Sequence, residues 1–196
     1  MMSKKQIFQA LSSILLGKGF KFSGGTWVRD SGNLKEVIGS QFSSKTGSVT
    51  FNVGIADRDV WKIYWDEHIP EFVDDAKCIA KRRIGEILPS GTDRWWKIDE
   101  FNEASASEVV DAALHFFEKL SSRENLLAHL KSRKFLVIAE KPYIPIILHL
   151  LGQSESALSL LKELETGSGD AWDLKIKRIF EVVSSGNQHI QINTDY

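Results

Sequence analysis

The segment 48–56 alternates strictly between apolar and polar side chains, and this alternation constrains the fold more than any other feature of the sequence. Its apolar side chains, all on one face of a strand, are Val49, Phe51, Val53 and Ile55. Two further strand-like segments, 26–30 and 34–43, precede it, each followed by a short turn that contains glycine. Short turns join antiparallel strands, whereas parallel strands need a long crossover. The sequence therefore predicts an antiparallel meander of three strands.

Two segments with helical periodicity flank these strands, and each has a single apolar stripe. In residues 4–16 and 109–120, apolar side chains recur every three or four positions. Ser3 precedes the first segment and Ser105 the second, both as predicted N-caps. Because such stripes have to be buried, we predict that both helices cover one face of the sheet and leave the other as the working surface. With two more strands from residues 78–99, the predicted fold class is α+β, an antiparallel β-sheet of four or five strands packed against helices.

The last third of the chain is predicted to be helical and to form a C-terminal extension of this fold. Residues 134–186 contain the pattern of about three amphipathic helices separated by glycine-containing loops. Residues 187–196 are polar and are predicted to be a loose tail. The predicted domains are therefore an α+β domain over 1–133, the helical extension over 134–186 and the tail. If the chain forms a homo-oligomer, we expect the helical extension to make the contact.

Composition and charge argue against several classes of partner. Lys and Arg together number 25 and Asp and Glu 26, so a formal net charge of −1 gives no overall attraction to nucleic acid or acidic membranes. The longest apolar stretch, residues 144–151, is too short to span a bilayer. Apolar residues near the N-terminus follow helical spacing rather than the pattern of a signal peptide. We therefore expect a cytoplasmic protein that binds neither membranes nor nucleic acid.

Residues 78–99 hold the densest set of arginine, tryptophan and other distinctive side chains in the sequence. In order, these are Cys78, Arg82, Arg83, Gly85, Glu86, Asp93, Arg94, Trp95 and Trp96. Neighbouring residues of a strand face opposite sides of a sheet, so Arg82 and Arg83 are predicted to serve different surfaces. The same alternation places one of Trp95 and Trp96 in the core and the other on the open face.

This segment resembles the signature of a bacterial family called domain of unknown function 4304. The resemblance rests on Cys78, Arg82, Ile84-Gly85-Glu86, Asp93 and Trp95-Trp96. Residues 25–29 and 51–54 also resemble the first and third strands of that family, and the likeness covers about the first two thirds of the chain. The family has no established activity. The resemblance therefore implies a fold and a surface of interest rather than a reaction.

The candidate binding residues are the arginines and tryptophans of this segment with one acid among them. They are Arg82, Arg83, Asp93, Arg94, Trp95 and Trp96. A guanidinium group offers a planar, bidentate donor to phosphate or carboxylate, and a tryptophan beside it can stack on a base. The alternative is structural, because an arginine paired with Glu86 or Asp93 holds the turn together. The sequence leaves both interpretations open.

Cys78 is a weaker candidate for a catalytic nucleophile, and the acidic segment 66–75 is a weaker candidate for a metal site. Cys78 is the only cysteine, and as a nucleophile it needs a base, for which the nearest histidine in sequence is His68. We predict a small buried side chain instead. The acidic segment 66–75 contains His68 and Glu71 at helical spacing, but Pro70 interrupts a helix between them. We therefore predict a solvated loop and no metal site.

These observations favour a non-enzymatic module that binds another protein and carries no cofactor, and analogy with other small sheet-plus-helix proteins of unknown function suggests that it is immunity-like. The sequence lacks the glycine-rich phosphate loop, the dinucleotide fingerprint and the nucleophile elbow of common enzyme classes. Tryptophan supplies much of the binding energy in interfaces, and five of the six tryptophans precede Lys97. The alternative is a small-ligand or nucleotide-binding domain, with or without enzymatic activity, that uses the signature residues. A cleft at these side chains favours that alternative, and a flat surface favours a protein partner.

Overall fold

The computed structural model describes residues 3–164 and 169–190 of the chain. Spatial contacts divide the chain into two compact units, and neither unit is a continuous stretch of sequence. The first, called here the sheet unit, runs up to Asp57 and resumes over Pro70–Ser121. The second, called here the helical unit, consists of Arg58–Ile69 and the residues from Ser122 onward.

One antiparallel sheet forms the centre of the sheet unit. Its strands are β1 (Lys21–Ser23), β2 (Thr26–Ser31), β3 (Leu34–Ser43), β4 (Ser48–Asp57), β5 (Ala80–Arg83) and β6 (Trp96–Lys97). The strand order is β1-β2-β3-β4-β5, and β6 pairs with the start of β4. The predicted meander and the α+β class are confirmed, with six strands in the described part of the chain where the sequence predicted four or five.

The additional strand is β1, which forms because of a two-residue turn. Gly24 and Gly25 both have positive φ, 58° and 91°, and this turn pairs Ser23 with Thr26. Three residues are too few to show a period-two pattern, so the sequence did not identify this strand.

Helices account for most of the remaining described residues. They are α1 (Lys4–Leu15), α2 (Arg58–Trp65), α3 (Ile84–Ile87), α4 (Glu103–Lys119), α5 (Arg123–Ser132), α6 (Tyr143–Leu150), α7 (Ser154–Leu164) and α8 (Asp170–Ile190). The sheet unit contains α1, α3 and α4, and the helical unit contains the others. Within the described residues, none of these helices combines the length and the apolar character needed to cross a membrane.

The apolar face of the sheet packs against α1 and α4, as predicted. The fully buried side chains of β4 on this face are Val49, Phe51, Val53 and Ile55. On β2, Trp27 Nε1 donates a hydrogen bond to Ser12 Oγ of α1 at 2.9 Å, which fixes the helix on the sheet. Helix α4 begins two residues before the predicted cap, because Asn102 Oδ1 accepts a hydrogen bond from Ser105 N at 3.0 Å.

The polar face of the sheet, which the sequence predicted to be open, is partly covered by the chain itself. A Cβ atom added to Gly39 would lie 2.4 Å from Asp75 Oδ1, and one added to Gly54 would lie 2.6 Å from Cys78 Sγ. Residues 75–78 therefore cross directly over β3 and β4. The crossing leaves no room for a side chain at Gly54, which faces Cys78 Cβ as well as its Sγ, whereas the atoms close to Gly39 belong to the Asp75 side chain. The working surface is smaller than a whole sheet face.

In the helical unit, α2 is a regular helix of eight residues within segment 57–75, whose apolar residues fit neither period well and indicated a loop with a short helical turn. Its buried side chains are Val60, Trp61 and Tyr64. The Tyr64 hydroxyl donates to the carbonyl of Ala139 at 2.9 Å, and its ring lies 4.8 Å from that of Tyr143 on α6. Lys175 Nζ on α8 lies 4.1 Å from the centroid of the Tyr64 ring. One tyrosine thus connects three parts of this unit.

The end of the chain is more helical than its sequence predicted. Helix α8 extends through Ile190, so the predicted tail begins inside a helix, and residues 191–196 lie outside the described residues. The loop predicted around Gly167 and Ser168 also lies outside them. The division at residue 133 stays a prediction, although spatial contacts assign α2 and α5 to the unit that contains α6, α7 and α8.

Candidate functional site

The pairing of β5 with β4 decides which surface each signature arginine serves. Arg82 lies opposite Val53 and Arg83 opposite Asn52. Val53 belongs to the apolar face of the sheet and Asn52 to the polar face, so the two arginines point to opposite sides, as alternation along a strand requires.

Arg83 is the centre of a group of interacting side chains on the polar face. Its Nη1 donates to Asp93 Oδ2 at 2.7 Å and its Nη2 to Gln41 Oε1 at 3.3 Å. Its Cζ lies 5.4 Å from the centroid of the Trp95 ring, and Trp95 Nε1 donates to the same Asp93 oxygen at 3.2 Å. We call Gln41, Arg83, Asp93 and Trp95 the Arg83 cluster. Gln41 and Asp93 are exposed and the other two are half-buried, so the cluster lies at the surface.

An acidic group borders the Arg83 cluster along the sheet. Gly39, Asn52 and Arg83 are direct neighbours across β3, β4 and β5, and Asp75 lies over Gly39. Burial raises the pKa of the Asp75 carboxyl and Asp74 raises it further, while a hydrogen bond from Asn52 acts in the opposite direction. Asp93 therefore already neutralises the charge of Arg83, and the carboxyl group of Asp75 lies nearby. This arrangement is poorly suited to binding a phosphate at Arg83.

Arg94 and Trp96 are directed away from this cluster, toward α4; Trp96 is buried, whereas the Arg94 side chain is 41% exposed. Arg94 Nη1 donates to Glu108 Oε1 of α4 at 2.6 Å, and its Cζ lies 4.9 Å from the centroid of the Trp96 ring. Trp96 is 6% exposed, and its ring lies 6.0 Å from that of Phe51. The Arg94 carbonyl also accepts a hydrogen bond from Thr50 Oγ1 at 2.9 Å. Trp95 on the surface and Trp96 in the core thus take the two positions that alternation predicts.

Gly85 allows α3 to approach the residues that precede β6. A Cβ atom added to Gly85 would lie 2.3 Å from both Arg94 N and Thr92 O. Both are backbone atoms, so no side-chain rotation could relieve the contact. The glycine of the signature is therefore explained by packing.

The predicted site residues fall into three groups. Arg83, Asp93 and Trp95 come together, Arg94 and Trp96 pack toward α4, and Arg82 stands apart on the other side of β5. Arg82 Nε lies 4.0 Å from Glu86 Oε2 and Arg83 Nη1 lies 2.7 Å from Asp93 Oδ2. The structural alternative, an arginine paired with Glu86 or Asp93, is thus present at both acids. Sequence reasoning missed Gln41, Asn52 and Asp75, which come from other segments.

Cys78 does not have the environment of a nucleophile. It is 1% exposed, and its Sγ packs on Gly54. Burial raises the pKa of its thiol, and the Asp75 carboxylate raises it further. The neutral thiol is therefore the stable form, and it packs as a small apolar side chain.

Alkylation measures the protection of this thiol. We expect iodoacetamide to modify Cys78 at least about tenfold more slowly in the native protein than in the urea-unfolded chain. The reason is that an increase of one unit in the thiol pKa lowers the thiolate fraction about tenfold. Glutathione in the same urea concentrations controls for the effect of the solvent on the reagent. Equal rates in native and unfolded protein would show an accessible thiolate and contradict the burial of Cys78.

The acidic segment 66–75 is divided between the two units. Asp66 forms an ion pair with Arg178 of α8 at 3.3 Å. Glu71 pairs with Lys21 at 2.8 Å, and this hydrogen bond lowers the pKa of the Glu71 carboxyl. Among residues 3–164 and 169–190, no group of three or more His, Cys, Asp or Glu side chains is arranged to hold a metal ion.

Comparison with known proteins identifies a family. The model of a family described as domain of unknown function 4304 matches residues 11–151, which begin within α1 and end just after α6. No curated protein and no solved structure matches the chain. The match spans well over half of the sequence and includes the whole of β1 to β6. The protein therefore belongs to the domain of unknown function 4304 family.

Proposed function

We propose that this protein is a non-enzymatic interaction module of the immunity-like kind, acting in the bacterial cytoplasm, and that the Arg83 cluster is its contact surface. The observation that supports this proposal is the double engagement of Asp93 by Arg83 and Trp95, which holds a guanidinium beside an indole at the surface. Arginine and tryptophan are the residues in which interface binding energy is concentrated.

Preorganisation makes this surface favourable for a protein partner. Ordering a flexible side chain on binding costs about 0.5–1.5 kcal/mol. Arg83 is already held at both terminal nitrogens, by Asp93 and Gln41, before any partner arrives. The partner therefore meets a fixed aromatic and polar surface, with the Asp75 carboxyl group at its border as a contact for a basic or hydrogen-bond-donating side chain.

The chemistry of the cluster supports binding rather than catalysis. Proton transfer requires an acid or base that can reach a substrate. The carboxylate of Asp93 accepts hydrogen bonds from two neighbours, and the thiol of Cys78 is buried. What the surface offers is an indole face, an amide and a neutralised guanidinium group, which suit recognition.

Small-ligand binding is the second candidate, and Arg82 is the residue that favours it. Its ion pair with Glu86 is long, at 4.0 Å, and its side chain is 34% exposed. A guanidinium held this loosely can exchange its partner for the phosphate or carboxylate of a small molecule or nucleotide.

The proposed function also includes homo-oligomerisation through the C-terminal helices. The 67% exposure of the apolar Leu174 on α8 supports it.

A pull-down from the native host tests the proposal with neighbouring residues as matched variants. We expect the wild type and Arg82→Ala to retain one specific protein and the double variant Arg83→Ala/Trp95→Ala to lose it. With the purified partner, calorimetry should then show that the double variant loses at least about 2 kcal/mol, a roughly 30-fold weaker affinity. Urea unfolding curves establish that all three proteins are folded.

Two outcomes would contradict the interaction surface. A partner that binds the double variant as tightly as the wild type would move the interface away from the Arg83 cluster. A small anionic compound that co-purifies with the wild type and is lost in Arg82→Ala, without any protein partner, would instead support the ligand-binding function.

A further inference from the structure

Four aromatic rings meet at the end of the sheet farthest in strand order from Arg83. The ring of Phe8 on α1 lies 5.3 Å from that of Phe22, 5.7 Å from that of Trp27 and 5.6 Å from that of Phe42, measured between centroids. Trp27 is fully buried beneath the others, Phe22 is 37% exposed, and Phe8 and Phe42 are half-buried. The three phenylalanines therefore present a continuous aromatic surface over a rigid base.

The two-residue turn before β2 makes room for this surface. Gly25 has φ of 91°, and a Cβ atom added there would lie 3.2 Å from Phe8 Cζ and 2.7 Å from Ser40 Oγ. Glycine at this position thus allows the Phe8 ring to lie directly on the backbone of the turn. The ring cluster depends on close packing of backbone and side chains.

The aromatic surface adjoins an open strand edge. Within the described residues β1 pairs with β2 alone, and Lys21, Phe22 and Ser23 are all exposed. Because the two-residue turn makes Ser23 and Thr26 a hydrogen-bonded pair, alternation directs the backbone N–H and C=O of Phe22 away from β2. A donor and an acceptor are therefore directed outward beside the rings, which is the arrangement that an added strand uses.

Positive charge is concentrated in the part of the chain that builds this edge. No Asp or Glu precedes Asp30, whereas five Lys or Arg residues do, although the whole chain has a formal net charge of −1. Two of the five, Lys21 and Arg29, already pair with Glu71 and Glu36, so the charge available to a partner comes from the lysines at the start of α1. Lys4 and Lys5 are exposed in the first turn of α1, and Lys4 Nζ lies 4.7 Å from the centroid of the Phe42 ring. Lys45 is exposed in the turn that follows β3. The rim of the aromatic surface therefore favours an acidic partner.

We propose that this edge is a docking surface for an extended, acidic segment of another protein. The segment pairs its backbone with Phe22, places a large apolar side chain against Phe8, Phe22 and Phe42, and directs its carboxylates toward Lys4, Lys5 and Lys45. A strand matches the outward donor and acceptor of β1, which neither a nucleic acid nor a lipid surface does. The proposal involves none of the residues of the Arg83 cluster and is independent of it.

Selection from a displayed library of random ten-residue peptides against the full-length protein tests this surface. We expect selected peptides to combine two or more Asp or Glu residues with an aromatic or leucine anchor. Their affinity should fall at least about tenfold in Phe22→Ser and in Lys4→Glu/Lys5→Glu, and should weaken with added salt. Arg83→Ala is the matched control and should bind the same peptides as the wild type does.

Other results would overturn the proposal. These are the absence of enriched peptides, enrichment of basic or neutral ones, and equal binding to the Lys4→Glu/Lys5→Glu variant, which changes only exposed side chains. Binding of phosphatidylglycerol vesicles or of a single-stranded oligonucleotide through Lys4 and Lys5, without peptide binding, would assign the edge to a membrane or a nucleic acid instead. Urea unfolding curves confirm that Phe22→Ser is compared as a folded protein.

Discussion

Replacing Gly85 by alanine is expected to lower the free energy of unfolding by about 3 kcal/mol, the upper end of the usual cost of overpacking, because the neighbouring atoms belong to the backbone. The new methyl group would lie 2.3 Å from the backbone atoms Arg94 N and Thr92 O. To accept it, either α3 or the residues before β6 must move, and both hold parts of the signature. Urea unfolding followed by tryptophan fluorescence measures the change.

Gly17→Ala is the matched control for this substitution. Gly17 has no atom within 4 Å of the position of an added Cβ, and its φ is not positive. The alanine there should be neutral or stabilising by about 0.4–1 kcal/mol, since it restricts the unfolded chain. Equal stability of Gly85→Ala and the wild type would contradict the close approach of α3 to residues 92–94.

Trp96→Ala is expected to cost about 3–5 kcal/mol, whereas Trp95→Ala should change the free energy of unfolding by less than about 1 kcal/mol. The two residues are adjacent in sequence and identical in chemistry, so burial is the variable that separates them. Trp96 is 6% exposed and packs on Phe51 and Phe101, while Trp95 is half-buried. Equilibrium unfolding of both variants provides the comparison.

A third variant, Trp96→Phe, separates ring packing from hydrogen bonding. Trp96 Nε1 is buried and has no hydrogen-bond partner among the described residues. Phenylalanine keeps part of the ring packing and removes this unsatisfied donor, so its cost should be well below that of alanine. If Trp95→Ala proved as destabilising as Trp96→Ala, the division of the pair into a surface residue and a core residue would be wrong.

Together these variants separate the family signature into two parts. Gly85 and Trp96 fix α3 and β6 against the sheet, whereas Arg83, Asp93 and Trp95 lie at the surface. A variant of the first group changes stability and thereby everything that depends on folding. Loss of binding without loss of stability can therefore be assigned to a contact only for side chains at the surface, which include Arg82 as well as the second group.

The strands could be predicted from sequence where one face is buried over enough residues. Segment 48–56 has such a face, and it became β4 with Phe51 and Val53 fully buried. Helix α2 could not be predicted in this way. Its buried residues follow helical spacing, but Ile63 and Trp65 are apolar as well and only half-buried, so they obscure the period.

The candidate site could be predicted in part, because alternation along β5 depends only on local geometry. It separates Arg82 from Arg83 whatever the rest of the chain does. The contributions of Gln41 and Asp75 depend instead on the register of β3 with β4 and on the crossing of residues 75–78 over the sheet. The positions that permit this crossing are Gly39 and Gly54, and in a sequence both appear only as glycines within strands.

The discontinuity of the helical unit also affects how the protein is made. Helix α2 leaves the ribosome about 80 residues before α6, against which Tyr64 packs. Translation proceeds at about 5–20 residues per second. Roughly 4–16 s therefore pass between the synthesis of Val60, Trp61 and Tyr64 and the synthesis of α6. Throughout that interval the nascent chain exposes an apolar, aromatic segment, and such exposed segments are prone to aggregation. The order of the elements along the gene therefore gives this small protein a period of exposed apolar surface during synthesis that its length alone does not suggest.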